Sequence, residues 1–457
     1  MTAPAAATSP GLLERLGLHR PELRAWAMYD WANSAMVVVV MTTIFPIFFS
    51  EFASAGRDGD QATQDLALAN SVAMAIVAVL APILGAISDY SSSKKRFLGI
   101  SMGIGVAAVT AMFFIEQGDV GLAATLFVIA IIGATGSFVF YEALLPHIAS
   151  KAEMDRVSTA GYAIGYLGGG LLLAINLAWI MQPGWFGFPS GDDLTPAQAS
   201  LPARVAFLSV AVWWIVFSIP LFRRVPEPPR MLEADEGISG SALKGAFVRL
   251  GETLRELRGY KQAFLMLLAF LIYNDGIQTI IKMAVVYGES IGIGDNDLIA
   301  AIMIVQFVGI PFSFLFGMLA GVLGAKRSIF LGLVVYTGIS ILGYFMTSAT
   351  HFYLLALLVG AVQGGTQALS RSLFASMIPR HKSGEFFGFF SVFEKFAGVF
   401  GPLIFWFTIE LTGSARNAIL SVILFFAIGA ILLAFVKVEE GQRVAREAEA
   451  ETRPVAA

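Results

Sequence analysis

Twelve apolar stretches follow one another along the chain, at about 25–50, 67–88, 97–115, 121–148, 158–181, 203–222, 262–287, 297–320, 328–348, 352–378, 386–409 and 416–436. A helix needs roughly 20 such residues to cross a bilayer, so runs of this length and number predict a bundle of membrane spans. Composition agrees: 57% of the residues are hydrophobic and 14% are charged, against about 25% charged in ordinary soluble domains. The residues ahead of the first span are small and uncharged at their start, without the pattern of a cleaved signal, so the first apolar run is expected to be the first span itself. The chain has no Cys, which removes disulfides, thiolate metal sites and thiol nucleophiles.

Charge orients the spans. Loops on the cytoplasmic side collect Lys and Arg. If the chain starts inside, both ends and the even-numbered gaps hold 24 of the 30 basic residues, and the outer loops hold only Arg57, Arg204 and Arg416. Both termini are therefore expected in the cytoplasm. The division that follows is a cytoplasmic arm (1–24), six spans (25–222), a cytoplasmic linker (223–261), six more spans (262–436) and a cytoplasmic tail (437–457). In the linker Leu243, Phe247, Leu250, Leu254 and Leu257 recur at steps of four and three among Lys244, Arg249, Arg255 and Arg258. This predicts a basic amphipathic helix lying on the membrane face.

Six spans, a linker and six spans suggest a duplicated unit. Gly85-Ala86-Ile87-Ser88-Asp89 with Lys94-Lys95-Arg96 after the second span is echoed by Gly317 to Gly321 with Lys326-Arg327 after the eighth. Tyr273-Asn274-Asp275-Gly276 in the seventh span echoes Tyr29-Asp30 in the first. The paired loops resemble the signature loop of the major facilitator superfamily. The second copy has Gly321 where that loop has Asp. Tyr29-Asp30-Trp31-Ala32-Asn33-Ser34, Tyr273-Asn274-Asp275-Gly276 and Gly364-Gly365-Thr366-Gln367-Ala368-Leu369-Ser370-Arg371-Ser372 together look like the bacterial relatives of the autophagy-related vacuolar amino-acid effluxers. The resemblance covers about Trp26 to Phe435. It implies an all-α integral membrane protein with twelve transmembrane helices in two pseudo-symmetric six-helix bundles, the major facilitator fold, whose spans one, four, seven and ten line a central cavity.

Seven charged residues lie well inside spans: Asp30, Glu142, Asp275, Lys282, Arg371, Glu394 and Lys395. A charge at bilayer depth costs at least about 2.5 kcal/mol unless it faces protein or water. Five of the seven fall on the four cavity helices, as a polar transport path requires. Asp30, Asn33 and Ser34 share one helix face at i, i+3, i+4. Arg371 keeps its charge when buried and can hold a carboxylate through two parallel hydrogen bonds. A permanent ion pair with Glu142 or Glu394 is the competing reading of Arg371, and helix-to-helix pairing is that of Asp30. Asp275 and Lys282, seven residues apart, share a face and are placed to grip two ends of a zwitterion, with Gln278 between them. Asp30, Glu142 and Asp275 are the candidates for a coupling proton. Asp89 is different: at the inner membrane edge, with Lys94 and Arg96, it is expected to latch one state shut against a helix N-terminus. Glycines in span five (Gly161, Gly165, Gly168, Gly169, Gly170) and span eleven (Gly384, Gly388, Gly398, Gly401) read as faces that slide or pack closely.

An enzyme is not expected. The four histidines are scattered, no phosphate loop is present, and Asp295-Asn296-Asp297 lacks the later Glu of a calcium loop. The expectation is a secondary active transporter of a bacterial plasma membrane, a monomer without cofactor, metal or nucleic acid. Its cargo is expected to be an amino acid or other small zwitterion, with protons as coupling ion. Within the class a sugar carrier or drug exporter is the alternative, with Trp26, Trp31, Asn33, Asn274, Gln278 and Gln367 as sugar ligands. From another class, a transport-inactive membrane sensor remains.

Overall fold

A computed structural model gives the structure of the protein and describes residues 11–57, 59–191, 193–232, 259–290, 292–397, 400–413 and 415–454. The amphipathic helix expected in the linker lies outside them. Among the described residues, eleven helices are long and apolar enough to cross a membrane. They are α1 (Pro21–Ala53), α2 (Gln61–Ser91), α3 (Lys94–Phe114), α4 (Val120–Ile148), α5 (Met154–Met181), α6 (Pro196–Arg224), α7 (Lys261–Ala284, helical on to Ser290), α8 (Asp297–Leu323), α9 (Ala325–Tyr344), α10 (Ala349–Ser376) and α12 (Arg416–Phe435). The remaining apolar stretch, expected as one span over 386–409, is two helices, α11a (Ser383–Phe396) and α11b (Phe400–Thr412). Pro402 sits in the first turn of α11b, where its missing N–H costs nothing. A final helix, α13 (Val438–Ala450), follows the last span. The short strands β1 (Met231–Leu232) and β2 (Arg453–Pro454) pair antiparallel.

α1 is not a regular α-helix throughout. Two π segments, Met36–Thr43 and Phe49–Ala53, interrupt it just beyond Asp30 and Asn33. Widened turns of this kind recur at functional sites.

One end of the bundle carries Lys94, Lys151, Lys326 and Arg380; this basic end is sealed. Residues 364–379 on α10 and the following corner are all buried, as are residues 381–388 that open α11a. The seal joins the first six spans to the last six. Gly85 of α2 lies so close to the Gly384 backbone of α11a that a Cβ there would overlap it, and Gly388 lies as close to Ala81 and Pro82. The span-five glycines divide. Gly165, Gly168 and Gly169 receive Ser34 and Trp31 of α1, inside the same half, while Gly161 lies against Arg371 and Gly170 against Gln306 in the other half. On α11a, Gly384 and Gly388 make the close backbone contacts with α2.

Candidate functional site

Asp30 on α1, Glu142 on α4 and Arg371 on α10 converge inside the bundle, each at most 5% exposed. The Arg371 guanidinium places Nη2 3.6 Å from Asp30 Oδ2 and Nη1 3.6 Å from Glu142 Oε1. Its best hydrogen bonds go elsewhere. Nε donates to Ser158 Oγ at 2.9 Å and Nη2 to the Ser158 carbonyl at 2.9 Å. The Tyr141 hydroxyl donates to Asp30 Oδ2 at 2.7 Å. Aromatic rings cover the cation: its carbon lies 5.0 Å from the Trp26 ring centre and 4.8 Å from that of Tyr162. Trp26 is fixed in turn by stacking on Tyr141 and by its Nε1 donating to the Tyr141 carbonyl at 2.9 Å. Gly161 makes the cluster possible, since a Cβ there would strike Asp30, Trp26 and Arg371.

Asp30, Glu142 and Ser158 belong to the first six spans, and Arg371 to the last six. The cluster is therefore a cross-half tie, with two carboxylates sharing one guanidinium. A charged pair taken out of water is held only when its remaining hydrogen-bonding groups are satisfied, and Ser158 and Tyr141 meet that need.

The other expected site residues divide. Asn33 is buried and donates to Ser137 Oγ at 3.2 Å, within the first half. Asn274 and Gln367 pair across α7 and α10 at 3.3 Å, one turn from the Tyr273–Ser370 hydrogen bond. Asp275 is 1% exposed and accepts the Gly401 N–H at 3.1 Å, so the start of α11b holds it. Gln278 is half-buried and Lys282 exposed. Asp275 and Lys282, expected on one face, differ in burial: Asp275 is held at the start of α11b, while Lys282 is exposed. Glu394 is half-buried on α11a.

Asp89 faces the helix N-terminus expected of it. Its Oδ1 accepts the Gly384 N–H at 3.0 Å and its Oδ2 the Glu385 N–H at 2.9 Å, at the start of α11a in the other half. The buried Lys94 ammonium closes the carboxylate from the other side. Arg96, expected with it, is exposed, and Lys95 takes the structural part by donating to the Phe222 and Val225 carbonyls at 2.9 and 2.7 Å. Beside the latch, Ser383 Oγ donates to the Ala143 carbonyl at 2.9 Å and meets His147 Nε2 at 3.1 Å.

Ser158, Tyr141 and Tyr162 were not among the expected residues. A lone Ser in a glycine-rich helix carries no sign of its partner, while Tyr141, next to Glu142 and facing Asp30, had a weak one in its position.

Eleven membrane-length helices and one broken apolar stretch among the described residues, in two halves tied at one end by a carboxylate-to-helix latch, are the architecture of a multi-pass transporter of the major facilitator superfamily rather than an enzyme. Solved structures of that fold superpose on it. The proton:xylose symporter XylE bound to 6-bromo-6-deoxy-D-glucose matches with a TM-score of 0.68 at 14% identity, over 94% of this chain and 98% of that one. FucP in the outward conformation matches with a TM-score of 0.65 at 12% identity, over 92% and 100%. The family described as vacuole effluxer Atg22 like matches residues 62–446, and the chain belongs to it. It is 36% identical over 424 residues to the uncharacterized MFS-type transporter YxiO of Bacillus subtilis, covering 93% of this chain and 96% of YxiO. Autophagy-related protein 22 of Yarrowia lipolytica is 28% identical over 325 residues, which are 64% of this chain and 52% of the fungal protein.

Proposed function

We propose that this transporter moves an amino acid or similar small zwitterion across a bacterial plasma membrane by alternating access, coupled to protons. The observation that supports this most is the Asp30–Arg371–Glu142 tie between the halves. Breaking a buried pair by leaving one charge alone costs about 3–5 kcal/mol. A zwitterion supplies both missing partners, its carboxylate for Arg371 and its amine for Asp30 or Glu142, so it can replace the tie without stranding a charge. A neutral sugar cannot. The second carboxylate on one guanidinium is the natural seat for a proton, because two like charges side by side favour protonation of one. The family description of a vacuole effluxer accords with a solute carrier. The sugar symporters among the structural neighbours, at 12–14% identity, speak to fold alone.

The test is a thermal-shift screen of the purified protein against amino acids and sugars, followed by counterflow in proteoliposomes. A ligand at 100 times its Kd stabilises by about 2.7 kcal/mol. An amino acid that stabilises and is exchanged supports the reading. Exchange of sugars alone overturns the cargo, and a folded protein that exchanges nothing makes it a sensor.

The same reading puts the sealed basic end in the cytoplasm. The chain is naturally free of Cys, so single cysteines report without background. A cysteine in 182–200 is expected to react with an impermeant maleimide in intact cells, and one in 233–241 only after lysis. Reaction of the second in intact cells would reverse the orientation.

Asp89→Asn is expected to leave ligand affinity within about twofold while shifting the closed–open balance roughly tenfold. The amide cannot accept both N–H groups and leaves Lys94 buried without its counter-charge. Affinity by thermal shift and turnover by counterflow separate the two effects. Loss of binding in a folded Asp89→Asn protein would move Asp89 into the substrate site.

A further inference from the structure

We propose that Ser158 is the positioning residue of the charge tie, the group that aims the Arg371 guanidinium at Asp30 and Glu142; this rests on the reading of that cluster given above. A Ser or Thr hydroxyl inside a helix ordinarily bonds back to its own helix, three or four residues earlier. Thr159 does so, donating to the Asp155 carbonyl at 2.9 Å. Ser158, one residue earlier and fully buried, does not. Its hydroxyl donates across the halves to the Ala368 carbonyl at 2.7 Å and accepts from Arg371 Nε, while its own carbonyl accepts from Nη2. One residue thus holds the guanidinium at two of its nitrogens and grips the helix that carries it one turn before. One turn down α5, Asp155 accepts from Ser372 Oγ at 2.6 Å, so α5 and α10 are joined by a short polar zipper with Ser158 at its centre.

The test uses a reporter cysteine, Ser88→Cys, whose side chain faces Gly384 across the seal and is fully buried. N-ethylmaleimide reaches it only when the basic end opens. Ser158→Ala is expected to raise its alkylation rate roughly tenfold, the shift that follows loss of a hydrogen bond to a charged group. Ser158→Thr, which keeps the hydroxyl, should restore protection, and Thr159→Ala should leave it unchanged. If Arg371→Ala exposes the reporter and Ser158→Ala does not, Ser158 has no positioning role. If Arg371→Ala itself leaves the reporter protected, the tie is no gate and the proposed function loses its support. A Thr159→Ala effect equal to that of Ser158→Ala would assign both to general packing of α5.

A second inference stands on different residues. We infer that α13, beyond the last span, is a clasp that holds the basic end shut. Gly441 lies against Met377 and Gln262, with too little room for a Cβ, and Ala445 is fully buried. The Lys437 N–H donates to Gln262 Oε1 at 2.8 Å, and Gln442 Nε2 donates to Ser376 Oγ at 3.2 Å. These contacts fix α13 under α7 and α10. Its far end reaches past them. Glu449 accepts the Arg380 N–H at 3.0 Å in the corner before α11a. β2 then pairs with β1, which follows α6, so the chain's end is hydrogen-bonded to both halves. When the basic ends part, β2 must release.

With the same reporter, Glu449→Lys, which takes the carboxylate from the Arg380 N–H, is expected to raise alkylation about fivefold or more. Gly441→Leu, which pushes α13 off Met377, should also raise it. Unchanged alkylation in both single variants, in protein that elutes as the parent does, overturns the clasp.

Discussion

Arg371→Ala is expected to abolish transport and to open the basic end, and neutralising Glu142 alongside it is not expected to bring transport back. The alanine strands two carboxylates at buried positions, a loss on the scale of about 3–5 kcal/mol. Arg371→Lys keeps the charge but loses the fork. One ammonium cannot lie between Asp30 and Glu142, donate twice to Ser158 and sit between the Trp26 and Tyr162 rings as the guanidinium does. Ligand binding in Arg371→Lys should weaken by roughly 1.5–3 kcal/mol, the worth of a charge-assisted hydrogen bond. A purely structural Arg371 gives another pattern: Lys largely rescues, and Arg371→Ala with Glu142→Gln regains both stability and transport. The measurement is a double-mutant cycle read for melting temperature and ligand affinity. Restored transport in the double variant would make Arg371 a strut and send the search for the substrate to the Asn274–Gln367 pair and Asp275.

The cluster was partly legible because charge inside a lipid-length helix is expensive enough to be noticed in a single sequence. Asp30, Glu142 and Arg371 stood out for that reason, and so did Asp89 beside its basic loop. What periodicity could not supply was direction across helices. Asp275 and Lys282 share a helix face, yet the break between α11a and α11b offers Asp275 an N–H donor that no local spacing reveals. Gly401, at the start of α11b, reads from sequence as part of a face that slides or packs closely, with no sign of the break beside it. Ser158 had none, because nothing on α5 records that its partner lies 213 residues away. The last helix lies beyond the final span and reads as a charged tail, yet Val438, Gly441, Val444, Ala445 and Ala448 share one face and record that it packs. The first π segment of α1 contains four successive valines, Val37 to Val40, and no rule of propensity marks such a segment in advance.

Gly85→Val is expected to hold the transporter out of the sealed state altogether. The α2–α11a crossing is a contact of backbone on backbone: a Cβ at Gly85 would overlap the Gly384 carbonyl group and touch the Glu385 nitrogen, and neither is a flexible side chain that can swing aside. Overpacking a close contact costs about 1–3 kcal/mol where neighbours can shift, and each 1.4 kcal/mol is tenfold in an equilibrium. The cost falls on the sealed state alone, because Gly85 and Gly384 part when the basic ends separate. The Asp89 bonds to Gly384 and Glu385 start one turn away, so the wedge loosens them as well. The variant should therefore fold, bind ligand from the basic side, and fail in counterflow. A cysteine at Ser383, fully buried in the parent, should react with N-ethylmaleimide at least about tenfold faster. Glycines that only pack within one half provide the control: Gly168→Ala meets Trp31 in both states, so it should lower the melting temperature without exposing Ser383→Cys. If Gly85→Val leaves that cysteine protected and transport intact, the basic end does not open at the α2–α11a crossing, and the halves must part along α5 and α10 instead.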